Sequence, residues 1–71
     1  MEKIEIRFGR KIKELRMIHN ISQEELAFRC GLSKNYISDV ERGKRNISLQ
    51  SIEKIAFGFD VSEKELFTFN S

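Results

Sequence analysis

The sequence predicts an all-α fold, five short helices packed around one small core. Apolar residues recur every three or four positions through the longer segments, the spacing of one helical face. Serine stands where a helix cap belongs before four of those segments, at Ser22, Ser33, Ser48 and Ser62. No strand-like alternation is evident, and none of the 71 residues is proline, so nothing forces a kink. A chain of this length is expected to form a single domain spanning 1–71, without a linker or an internal repeat.

The first helix is expected from about Lys3 to His19, with Ile4, Phe8, Ile12, Leu15 and Ile18 on its inner stripe. Lys11 falls inside that arc and should run its aliphatic stem along the core and its ammonium outward. Ile6 and Met17 lie off the stripe. His19 suits the negative end of the helix, and Asn20 can adopt the left-handed conformation that closes it. Ser22-Gln23-Glu24-Glu25 reads as a capping box opening a second helix over about 23–30, with Leu26, Ala27 and Cys30 inward.

Gly31 supplies a turn residue free of the Cβ penalty, and Ser33 caps a third helix over about 34–42, which Gly43 stops. Ser48 starts a fourth helix carrying Leu49, Ile52, Ile55, Ala56 and Phe59. Ser62-Glu63-Lys64-Glu65 reads as a second capping box before a last turn with Leu66 and Phe67. Phe67-Thr68-Phe69 can end the chain extended.

Composition narrows the function classes. Cys30 is the only cysteine, which excludes an internal disulfide and a multi-cysteine metal site. His19 and Cys30 have no catalytic partner at a useful spacing, and the capping boxes account for the acidic clusters, so an enzyme is not expected. Without a long apolar run or a signal pattern, the chain reads as cytoplasmic, with no membrane partner. No cofactor or small-molecule effector is evident. Charge is uneven: residues 1–45 hold eleven Lys/Arg against seven Asp/Glu, while residues 46–71 hold two against four. The basic portion suits a polyanion.

The region of about 23–42 has the parts of a helix-turn-helix. Ala27 is the small residue at a close crossing, Gly31 makes the turn, and Ile37 and Val40 anchor the second helix from its inner side. "SQEELAFRCGLSKNYISDVERGKRN" resembles the lambda-repressor-like, Cro-type helix-turn-helix family, and the likeness extends from "FGRKIKELR" through "IEKIAFGFDVSEKELF". Within that family, "YISDVERGKRNISLQSIEKIA" is most similar to the controller proteins of restriction–modification systems. The resemblance implies a compact five-helix DNA-binding domain. It also implies a transcriptional regulator acting on double-stranded DNA.

In such proteins the third helix enters the major groove with its N-terminal residues nearest the bases. By that resemblance Lys34 and Asn35 are the leading base contacts: lysine donates to guanine, asparagine pairs with adenine. Tyr36 can lean on the inner face while its hydroxyl reaches a phosphate or a base. Ser38 and Asp39 lie on the outward arc. Asp39 can accept from a cytosine amino group, but orienting Asn35 or repelling wrong sequences is the preferred role; controller-like relatives commonly have a small residue there. Gln23, Ser33, Arg42, Lys44, Arg45 and Asn46 are expected at phosphates, with Arg45 alternatively reaching a base. The family match also pairs Arg16 with Glu41 as a structural ion pair.

Six phenylalanines exceed what so small a core needs. Phe8 and Phe59 fit core stripes; Phe57, with Phe67 or Phe69, is expected in a two-fold interface, making about 49–69 a dimerisation region. A homodimer would then read an approximately palindromic operator. The alternative from another class is a protein-interaction module, such as an antitoxin or a regulator with a protein partner.

Overall fold

A computed structural model describes residues 1–69, and five helices account for most of them. They are α1 (Ile4–Ile18), α2 (Gln23–Cys30), α3 (Lys34–Glu41), α4 (Leu49–Phe59) and α5 (Glu63–Leu66). α2 packs on both α3 and α4, α1 packs on α3, and α5 closes the far side against α4 and α1. Phe8, Ile12, Leu15, Leu26, Ile37, Val40, Ile55, Phe59 and Leu66 meet in one core, with Ala27, Cys30 and Ala56 filling its narrower gaps.

Three serine caps fix where helices begin. Ser22, Ser33 and Ser48 each accept from the backbone N–H three residues on, at 3.0, 3.0 and 3.1 Å. Each bond satisfies one of the donors a helix start leaves free. Two capping expectations are corrected. Ser62 makes no side-chain cap bond, and the Glu25 carboxylate accepts from Arg29 Nε at 2.9 Å, one turn along, instead of folding back to the cap. At Glu25 the competing partner is the Arg29 guanidinium, a helical neighbour four residues on.

The ends of the apolar stripes are also corrected. Ile4 and Ile18, at the two ends of α1, are 46% and 70% exposed, and Leu49 at the start of α4 is 81% exposed. Lys11 lies with its ammonium 3.7 Å from Glu14 and 3.6 Å from Glu65 and its stem buried. Asn20 takes φ 56°, closing α1. Asp60, at φ 57°, does the same for α4, a left-handed position that polar short side chains tolerate. After α5 the chain turns, with Thr68 N–H donating to Glu65 O, and forms no strand among the described residues.

Two glycines allow approaches that no other residue would. A Cβ on Gly9 would collide with the carbonyl oxygens of Val40 and Glu41, so α1 meets the end of α3 backbone to backbone. A Cβ on Gly58 would collide with Cys30 Sγ, so α4 presses closely on the end of α2. Ala27 is buried at the α2–α3 contact as expected, but the tightest crossings lie at these glycines. No helix among the described residues is long and apolar enough to cross a membrane.

Candidate nucleic-acid interface

The surface begins with the burial of α3. Ile37 and Val40 are 0% and 3% exposed, so one edge of this eight-residue helix belongs to the core. The helical repeat then turns Lys34 and Asn35 into solvent, with Tyr36, Ser38 and Asp39 half-buried along the flank. Between α2 and α3 the turn is short: Gly31 at φ 70° closes α2, and Ser33 already caps α3. The Ser33 hydroxyl accepts from Tyr36 N–H, which leaves its own proton to donate outward.

Behind α3 sits a charged triad. Glu41, its side chain 4% exposed, accepts from Arg16 Nε at 2.6 Å and Nη2 at 3.1 Å, a two-pronged pair joining α3 to α1. Gln23 Nε2 adds a third bond to Glu41 at 3.0 Å, and Arg16 Nη1 donates to Ile21 O at 3.0 Å. The hydrogen bond to Glu41 is the main reason Arg16 holds its proton more firmly than a free arginine, against the opposing effect of burial. The sequence reading aims the Gln23 amide at a phosphate; in the structure that amide is engaged by Glu41. What remains at the start of α2 is its free backbone N–H groups.

In front, the chain leaving α3 carries Arg42, Lys44, Arg45 and Asn46, all exposed. The sequence reading has Asp39 orient Asn35. It does not: Asp39 Oδ1 accepts from Arg42 Nη2 at 2.6 Å, and Oδ2 lies 3.3 Å from Arg45 Nη2. The Asn35 side chain forms no hydrogen bond with it among the described residues. Arg42, through its hydrogen bond, is the main reason the Asp39 carboxyl titrates below the ordinary aspartate range, and Arg45 adds to the effect. Arg45 also lays its guanidinium over the Tyr36 ring, 4.9 Å from the centroid, tying the segment after Gly43 back to the first turn of α3.

The three candidate interface phenylalanines part ways. Phe57 is 80% exposed on α4. Phe67 is 42% exposed and stacks on Phe8 at 5.1 Å between centroids. Phe69 packs against the core of its own chain beneath the Arg7 guanidinium, 5.2 Å from its centroid. Leu49, Ile52 and Phe67 line one shallow groove. Phe28 on α2 is 83% exposed, an apolar side chain the sequence pattern had not singled out. Gly9, an isolated glycine inside a helical stripe, is the sequence signal of the close approach between α1 and α3.

An exposed polar first turn on a core-anchored helix, set across a tight turn from a second helix, is the geometry of a helix-turn-helix. Residues 12–66 match the profile of a helix-turn-helix family. The chain belongs to it. This helix-turn-helix protein is 48% identical over 69 residues to the control protein C.BamHI of Bacillus amyloliquefaciens, spanning 96% of this chain and 85% of that one. Its structure superposes on the restriction-modification controller protein C.AhdI from Aeromonas hydrophila with TM-score 0.87 and 46% identity, covering 89% and 96% of the two chains. It also superposes on C.Esp1396I bound to a 19 base pair DNA duplex, with TM-score 0.85 and 33% identity over 93% and 88%.

Proposed function

We propose that this chain is a sequence-specific, DNA-binding transcriptional regulator, the controller protein of a restriction–modification system, acting as a homodimer on a palindromic operator. The observation that carries the reading is the division of α3 into an inner edge, Ile37 and Val40, and an exposed first turn, Lys34 and Asn35. A helix anchored in this way can enter a major groove without loosening the core. Lys34 and Asn35 read base edges, with Tyr36 and Ser38 on the flank of the same helix. Ser33, Arg42, Lys44, Arg45 and Asn46, together with the N–H groups opening α2, set the register against phosphates. The controller names of C.BamHI and C.AhdI, and the duplex bound by C.Esp1396I, support the assignment.

Residues 49–69 supply the dimer contact, centred on exposed Phe57 and Leu49 with half-exposed Phe67. A two-fold axis there sets two recognition helices about 34 Å apart, one turn of B-DNA. No catalytic step, cofactor or small-molecule effector enters this function.

The test is selection of bound sites from a randomised duplex library at near-physiological salt. A palindrome whose half-sites change in Lys34→Ala or Asn35→Ala supports the reading; no enriched sequence refutes it. Exposed Phe28 favours a second reading, docking of a protein partner on α2. Salt separates the two, since log affinity for duplex DNA falls with log salt at a slope of about 0.9 per neutralised phosphate.

A further inference from the structure

We infer that Asp39 does not read bases but acts as an internal competitor of DNA phosphate, holding Arg42 and Arg45 in the free protein and so restraining attachment to non-operator DNA. The inference rests on the DNA-binding reading and deepens it. Both carboxylate oxygens of Asp39 are engaged, Oδ1 by Arg42 at 2.6 Å and Oδ2 by Arg45 at 3.3 Å. The Asp39 side chain is 28% exposed, whereas those of Arg42 and Arg45 are 58% and 48% exposed. The arginines therefore sit where an approaching backbone would meet them, already paired.

A phosphate must displace Asp39 from each arginine before taking its full charge. It then leaves an uncompensated carboxylate beside a polyanion. Sequence-independent attachment is almost wholly electrostatic, so it bears this penalty without offset. Operator binding adds contacts from Lys34 and Asn35, neither of which is bonded to Asp39. Arg45 has a second support in the Tyr36 ring, so losing the carboxylate need not unseat it. A regulator held back in this way is not drained onto the bulk of the chromosome while its concentration is low.

The experiment compares wild-type protein and Asp39→Asn on a non-operator duplex and on the selected operator, across a salt series. The amide side chain keeps the shape and an acceptor but not the charge. The expected result is non-operator binding tighter by roughly two- to fivefold per protomer, the fold-change equivalent of an exposed ion pair. The salt slope should steepen by about 0.9 for each arginine freed to a phosphate, with the preferred operator sequence unchanged. In an Arg42→Ala/Arg45→Ala background the same substitution should have a much smaller effect, only the bare repulsion between carboxylate and polyanion. A changed operator preference would make Asp39 a base reader and overturn the proposal. An undiminished effect in the double-alanine background would reduce it to bulk charge, which also overturns it. Failure of the DNA-binding reading looks different: wild-type affinity would then ignore both salt and Arg42→Ala.

Discussion

Replacing Glu41 by alanine removes the acceptor of three hydrogen bonds: two from Arg16, at 2.6 and 3.1 Å, and one from Gln23, at 3.0 Å. The Arg16 side chain, 15% exposed, would keep only the Ile21 carbonyl as a partner. Stranding one member of a fully buried pair costs about 3–5 kcal/mol, an upper bound for this part-buried one. A domain of this length has a total stability of roughly 4–11 kcal/mol, so Glu41→Ala should remove a large share of it. Arg16→Met should cost a similar amount by stranding the carboxylate. The double variant Arg16→Met/Glu41→Leu strands no charge, and apolar replacement of a buried pair is often neutral or better. Urea denaturation followed by far-ultraviolet circular dichroism, at one fixed protein concentration, measures all three. Single variants losing less than about 1 kcal/mol would show that water screens the pair. A double variant losing the sum of the singles would show that the two groups act independently.

Gly58→Ala should destabilise by about 1–3 kcal/mol, the usual cost of overpacking, because the new methyl meets Cys30 Sγ. Cys30→Ala in the same chain should recover part of that loss, and a double-mutant cycle in urea measures the coupling. Burial pushes the Cys30 thiol from about 9 up to about 11, so the unfolded chain loses this proton first as pH rises. Stability should therefore fall between pH 9 and pH 11 and be unaffected by this group below that window; Cys30→Ala should abolish its share of the alkaline loss. Phe57→Glu should leave the circular dichroism spectrum unchanged, since the ring is 80% exposed, and convert the proposed dimer to monomer in sedimentation. A folded dimer would remove Phe57 from the interface.

What could be read from the sequence was local. Ser22, Ser33 and Ser48 cap their helices because each bond spans three residues, a distance that spacing itself encodes. Ile12, Leu26, Ile37 and Ile55 reach the core because helical periodicity marks a face whatever lies opposite it. Periodicity does not say how far the opposite element extends, and so Ile4, Ile18 and Leu49 were placed inside and lie outside. Gly9 and Gly58 matter only through backbone or sulfur brought from elsewhere in the chain. The Gln23–Glu41 bond likewise joins residues 18 apart, and nothing near Gln23 announces it. Asp39 is the exception: Arg42 stands three residues on, a helical neighbour, and that spacing already offered the pair.

The burial of Ile37 and Val40 has a mechanical consequence. They are shared property: the helix that carries the polar first turn also supplies the middle of the only core among the described residues. Hydrogen exchange in α3 should accordingly report whole-molecule opening, with no cheaper local route. On the proposed DNA-binding reading, a helix held in this way presents its first turn to the groove as part of a rigid body. Under that proposal adaptation would fall to the nucleic acid, and the elastic work of curving or narrowing the duplex would become part of what is recognised, including at base pairs no side chain reaches.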